Sequence, residues 1–412
     1  MNAFSIAFLA ALAIATATRL WLAARHIRHV RRHRTGVPPE FAGKISPEAH
    51  RKAADYTCAR TGFGMIEAAA GVAIVLVLTL GGGLQWLHDV SAGWLAGDLA
   101  RGLVLLTLTG VVVAVADLPF ELYRTFVIEQ RFGFNKMTPW LFFADLAKSL
   151  LVGALLVLPL AAVILWLIGE LGAQWWIYAW AVTVLYGIFT QFAAPTLIAP
   201  LFNKFSPLQD AELKERVERM LARCGFKVKA LLVMDGSRRS AHGNAYFTGF
   251  GASKRIVFFD TLLAQLSPAE VEAVLAHELG HFKLRHVAKR IAWGSVASFG
   301  FFWLLSFLMT QDWFYSGLGV TSPSPAMALI LFMCALPPFT FLLQPLGAAY
   351  SRKHEFEADR YASSNASATE LVSALVKLYR DNAATLTPDP VHSAFYDSHP
   401  PALARIARLK GG

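Results

Sequence analysis

The segment LAKSLLVGALLVLPLAAVILWLI, residues 146–168, decides the fold class. Beyond Lys148 it carries no charged side chain, and about 20 consecutive apolar residues are what an α-helix needs to cross a bilayer core. Six further stretches meet or approach that length: Ala3 to Ala24, Phe63 to Leu84, Gly102 to Ala116, Trp175 to Leu201, Ile291 to Met309 and Met327 to Tyr350. The third is the shortest. Composition points the same way, since the 412 residues are 55% hydrophobic and only 16% charged, with a mean hydropathy of +0.46. Soluble chains carry about 25% charged residues, so a water-soluble globule is excluded. The expectation is a mainly α, polytopic protein with seven transmembrane helices.

Charge placement tests that count and orients it. Basic residues at Arg25, Arg28, Arg31, Arg32 and Arg34 follow the first apolar stretch and none precedes its core, the order of a retained helix with its amino end outside rather than of a cleaved signal peptide. With Arg25 to Arg60 on the cytoplasmic side, Arg124 to Lys148, Lys204 to Arg290 and Arg352 to Lys410 fall there too. The opposite loops, His88 to Asp98, Glu170 to Gln174 and Thr310 to Pro325, contain no Lys or Arg, and of 38 basic residues only Arg101 lies on the outer side. Trp86, Trp94, Trp175, Trp176, Trp313 and Tyr315 gather at the outer span ends, where an aromatic belt is expected. The net charge of +10 is accounted for by these basic loops, and no nucleic-acid partner is implied. Cys58, Cys224 and Cys334 are scattered and form no CxxC pair, which signals neither disulfides nor a thiolate metal site.

The chain divides into residues 1–201 with five spans, a polar segment 202–290, spans six and seven in 291–350, and a second polar segment 351–412. In the first polar segment Ser267, Pro268 and Glu270 read as an N-cap, a first-turn proline and a capping-box glutamate, so a helix begins here. It carries HELGH, residues 277–281. His277 and His281 are four apart, hence on one face, with nitrogens suited to one zinc ion. Glu278 projects beside that face and can act as general base without ligating. A third ligand from HExxHxxGxxH is excluded, because positions 284 and 287 are Leu284 and Val287 and His286 falls off the required face. SRKHEFEADRYA, beyond the seventh apolar stretch, offers Glu355 or Glu357, which spacing does not separate. Asp359 lies one turn past Glu355 and can accept the free N–H of a ligating imidazole.

HELGH followed by SRKHEFEAD after a hydrophobic stretch resembles the integral-membrane zinc metalloproteases of the CAAX prenyl protease 1 type. RFGFNKMT (131–138), PLFNKFSPL (200–208), RSAHGNAYFTGF (239–250), KRIVFFDTLL (254–263) and SHPP (398–401) extend the likeness over nearly the whole chain. The resemblance implies seven helices around a water-filled chamber, with a cytoplasmic zinc metalloprotease domain containing a small β-sheet. It implies one Zn2+ per chain held by His277, His281 and Glu355, with Glu278 as base and Asp359 supporting the site. His399 would stabilise the oxyanion, and Asn244 and Ala245 would lie on the edge strand that receives the substrate backbone. Arg238 and Arg239 are candidates to meet a substrate carboxylate, against the plainer reading of a solvated positive face. Glu67, Asp117, Glu121, Glu129, Asp145 and Lys148, in or near spans, read equally as chamber lining or as salt bridges between helices.

The implied partners are the lipid bilayer and a peptide or protein substrate, prenylated in the family's type case. The Ala- and Arg-rich composition and short loops suggest a bacterial member in the cytoplasmic membrane. Since bacteria generally lack prenylation machinery, membrane-protein quality control without a prenyl requirement is an alternative duty. A seven-helix transporter or receptor with an incidental HELGH is the rival from another class.

Overall fold

The structure, a computed structural model, describes residues 1–248 and 254–411. Gly249 and Phe250, the end of the RSAHGNAYFTGF block, lie outside the described residues. Among the described residues, seven helices are long and apolar enough to cross a membrane: Ala3–Arg32, Pro47–Leu78, Asp98–Glu129, Pro139–Glu170, Gly172–Phe202, His286–Leu308 and Pro325–Asn365. The number and order match the hydropathy reading, but several lengths do not. The third is not the shortest. It runs for 32 residues, because Glu67 from the second helix and Glu121 from its own previous turn both pair with Arg124, which lets the rod continue through charged residues that end an apolar window. Its last turn, Arg124–Glu129, is a π-helix. The second helix starts 16 residues before its apolar window, at Pro47 behind the N-cap Ser46, and it stops at Leu78 instead of Leu84. Gly82, at φ +77, then turns the chain into a separate short helix, Gly83–Ser91.

The seventh rod matters most for function. Pro337 and Pro338 remove two backbone donors, a 3-10 turn follows at Phe341–Leu343, and Gln344–Asn365 continues beyond it. The apolar span and the EFEAD run are therefore one interrupted helix, so Glu355 and Asp359 are held by a membrane element and not by a loose tail. Of the aromatic residues at the outer span ends, Trp86 and Trp94 are exposed, whereas Trp175 and Tyr315 are covered by the protein itself: Trp175 meets Phe302 edge-on and the Tyr315 hydroxyl donates to the Met309 carbonyl at 2.9 Å.

Two main cores are built on different physics. Phe8, Leu84, Leu105, Phe314, Met327 and Leu331 form one among the spans, where lipid removes most of the hydrophobic drive and close packing holds helices together. Val217, Met220, Ile256, Phe258, Leu275, Leu279 and Leu375 form the other, where each fully buried side chain stabilises by about 1.5–3 kcal/mol in water. This second core joins the HELGH helix, Pro268–Lys283, to a four-stranded mixed sheet: β1 (Phe205–Pro207), β2 (Ala230–Met234), β3 (Ala245–Thr248) and β4 (Arg255–Phe259), in the order β1-β2-β4-β3. β2 and β4 pair in parallel and the outer pairs are antiparallel, with Ala245 opposite Phe258. β3 is thus an edge, and it packs against the HELGH helix.

Candidate functional site

The HELGH helix begins where the sequence says. Ser267 accepts from the Glu270 backbone at 3.3 Å, and Glu270 accepts from the Ser267 backbone at 2.7 Å. Glu270 also receives Lys377 and Ser373, each at 2.7 Å, so the cap is clamped to the neighbouring helix Ala368–Asp381. At its other end the helix lies directly on the EFEAD rod. A Cβ on Gly280 would stand 3.0 Å from the Ala358 Cα, so glycine here sets how closely the two helices approach.

That approach brings His277, His281 and Glu355 together. Their facing atoms are 3.2 Å apart between the two Nε2 atoms, 3.4 Å from His277 Nε2 to Glu355 Oε2, and 3.3 Å from His281 Nε2 to Glu355 Oε1. Two tetrahedral ligands each 2.0–2.1 Å from zinc lie roughly 3.3 Å from one another, so the spacing fits a small tetrahedral cation. The donor set fits as well. Glu355 Oε2 is buried with no hydrogen-bond partner, and Arg405 Nη1 stands 3.9 Å from it, so the oxygen keeps a lone pair free for a cation at closer range. Glu357, which spacing alone left as an alternative, points to His286 instead.

Asp359 Oδ1 lies 2.9 Å from His277 Nδ1. It is also gripped by Arg405, whose Nε and Nη2 reach its two oxygens at 2.8 and 2.5 Å. Burial works against charge on His277, and its hydrogen bonds with Asp359 and Glu355 reverse that and raise its pKa above the ordinary value. A proton and a metal ion therefore compete for this imidazole. Arg405 was missed by sequence reasoning. The available signal was an arginine between Ala402 and Ile406 on the apolar face of the last helix, where all three are buried. Replacing Arg405 with Ala leaves the buried Asp359 charge with His277 Nδ1 as its remaining partner, with an expected loss of about 3 kcal/mol, read as a lowered denaturation midpoint.

Glu278 is half-buried and carries no side-chain hydrogen bond or ion pair among the described residues. His399 is largely exposed, with its Nε2 3.4 Å from Glu355 Oε1 and its Nδ1 3.0 Å from the Ser398 hydroxyl. It joins the cluster from a segment 44 residues beyond Glu355. Asn244 is exposed just before β3, and Ala245 is buried as its first residue. Arg238 is half-exposed and reaches Asp235 at 3.4 Å. Arg239 is a correction to the substrate reading: its Nε and Nη2 hold both oxygens of Asp145 at 2.8 and 3.1 Å, and Nη1 meets Asn203 at 3.1 Å. A guanidinium already satisfied on both edges ties the sheet to the fourth span and is not free for a substrate carboxylate. Asp145 and Glu67 likewise serve as interhelical or interdomain ion pairs.

Residues 26–204 match the family model described as CAAX prenyl protease N-terminal, five membrane helices, and residues 207–412 match Peptidase family M48. A CAAX prenyl protease 1 homolog of Arabidopsis thaliana is 35% identical over 383 residues, spanning 91% of this chain and 90% of that protein. One from Homo sapiens is 33% identical over 437 residues, spanning 94% and 91%. The crystal structure of S. mikatae Ste24p superposes with a TM-score of 0.93 at 30% identity, covering 99% of both chains. Fold, metal-binding constellation and likeness together define an integral-membrane metalloendopeptidase. That class removes the transporter or receptor reading. The chain belongs to the CAAX prenyl protease 1 family.

Proposed function

We propose that this protein is a zinc metalloendopeptidase that hydrolyses peptide bonds near the C-terminus of prenylated, CAAX-type substrates, at the cytoplasmic face of a bacterial membrane. The observation that carries the reading is the convergence of His277, His281 and the unpartnered Glu355 oxygen from two packed helices. Zinc, one per chain, supplies Lewis acidity when bound and makes water acidic near neutral pH. His277, His281 and Glu355 would hold it, and Asp359 would keep the His277 proton on Nδ1. Glu278 takes a proton from the attacking water and returns it to the leaving amine. His399 donates to the oxygen on which negative charge develops. The free edge of β3, entered through Asn244 and Ala245, offers main-chain hydrogen bonds to an extended peptide whatever its side chains. Arg238 is the remaining arginine for a terminal carboxylate.

The orientation, amino end outside and catalytic segments inside, rests on the loops without Lys or Arg. The water-filled chamber is supported by a cavity of about 800 Å³ lined by Arg19, Tyr56, Arg60, His242, Asn382 and His392, since such groups seek water and not lipid. His399→Ala is expected to lower kcat by about 10²- to 10³-fold with zinc retained; an unchanged kcat returns His399 to the surface. The substrate class is tested by mapping cleavage of a farnesylated peptide against its unmodified control by mass spectrometry. Preference for the farnesylated peptide supports the proposal, and equal cleavage of both favours prenyl-independent quality control.

A further inference from the structure

Behind His281 lies a group of side chains that the proposed chemistry does not use. The HELGH helix ends at Lys283, and Arg285, at φ +56, turns the chain sharply so that His286 starts the next rod facing back. His286 is buried, its Nδ1 is 2.9 Å from His281 Nδ1, and its Nε2 is 3.0 Å from Glu357 Oε2. The His354 ring stacks on it at 4.0 Å and 7°, and Tyr350 meets His354 edge-on at 4.3 Å.

His286, His354 and Glu357 bring ligand-type atoms within reach of one another, but the geometry disfavours a second metal ion. Nitrogen lone pairs lie in the ring plane, so two parallel stacked imidazoles aim theirs side by side and not at a shared point. Both nitrogens of His286 are also already engaged. Hydrogen-bond direction then decides what the group does. Two ring nitrogens 2.9 Å apart need one proton between them. His281 Nε2 faces His277 and Glu355, and a ligating nitrogen carries no proton, so the His281 proton belongs on Nδ1. His281 therefore donates, His286 accepts through Nδ1, and the proton of His286 is left on Nε2, pointing at Glu357.

We infer that His286 is a positioning residue that fixes the tautomer and ring orientation of His281, with Glu357 anchoring it from behind and His354 holding its plane. The inference rests on the proposed metal site. It gives the two histidines unlike supports: His277 is backed directly by the Asp359 carboxylate, and His281 is backed by a carboxylate acting through a neutral imidazole. Glu357 thus has a role distinct from that of Glu355 two residues earlier.

The test is zinc affinity of the full-length purified chain, measured by competition with a chromophoric chelator, together with the visible spectrum of the cobalt-loaded form. His286→Ala and Glu357→Ala are expected to weaken zinc binding about 10- to 100-fold and to shift the cobalt bands. Glu357→Gln, which still offers an oxygen to the Nε2–H, is expected to stay within about threefold of the parent by the same argument, as is His354→Phe, which preserves the stack. Glu357→Ala is surface-accessible enough to decide the matter should His286→Ala fail to fold. Parent-like affinity in Glu357→Ala, or equal losses in Glu357→Gln and Glu357→Ala, would overturn the inference. So would a second zinc ion per chain that disappears in His286→Ala. A parent protein that binds no zinc refutes the metalloprotease reading itself, and is distinguished by that result from failure of the relay alone.

Discussion

Glu278→Gln is expected to retain zinc and to lose about 10²- to 10⁴-fold in peptide hydrolysis, the range that a positioned general base contributes. The separation of the two effects follows from geometry. Glu278 is next to His277 on the helix, and it is not among the three residues whose ligand atoms converge. Glutamine keeps its size and a carbonyl oxygen that can still hold water, so the metal ligands have no reason to move. What is lost is the basicity that takes a proton as water attacks. The measurement is zinc content by elemental analysis alongside cleavage rate on one preparation. A Glu278→Gln protein with the parent's rate would remove the general-base assignment, and one without zinc would make Glu278 a structural part of the metal site.

Glu355→Ala has the opposite signature. It removes the only carboxylate among the described residues that faces both imidazoles, leaving two nitrogen donors where a tetrahedral site needs three protein ligands and water. Zinc affinity is expected to fall by more than the about 10- to 100-fold that outer partners command, and activity falls with it. Glu355 Oε2 accepts no hydrogen bond, but it lies 3.4 Å from His277 Nε2 and 3.9 Å from Arg405 Nη1, so its charge is partly compensated without metal and the metal-free chain is expected to change little in stability in Glu355→Ala. Denaturation of metal-free parent and variant checks this. A large loss of stability in the metal-free variant would mean that Glu355 holds the two helices together and is not reserved for a cation.

The contrast between these variants follows from what the amino-acid sequence makes legible. Ser267, Pro268 and Glu270 mark a helix start through interactions only three residues long, and HELGH places two imidazoles one turn apart; both are local, and both are found in the fold. The seven apolar runs are legible because a bilayer demands a minimum length from each helix on its own. Helix ends are not, since the rod Asp98–Glu129 continues on the strength of the contact of Arg124 with Glu67, 57 positions away. The same limit hides Arg405, whose importance appears only when the last helix docks on Asp359. It hides the occupation of Arg239 by Asp145 across 94 positions, which turned a substrate candidate into a tie between sheet and span. Glu355 and Glu357 could not be told apart by spacing because both lie within one turn of the same rod. Only the packing against Gly280 gives one of them to the histidine pair and the other to His286.

Anomalous diffraction at the zinc edge from crystals of the purified protein addresses the central claim most directly. The account predicts a single peak per chain, within about 2.0–2.2 Å of His277 Nε2, His281 Nε2 and a Glu355 carboxylate oxygen. A peak centred instead among His286, His354 and Glu357, or no peak between the HELGH helix and the EFEAD rod in protein that cleaves peptides, would contradict it.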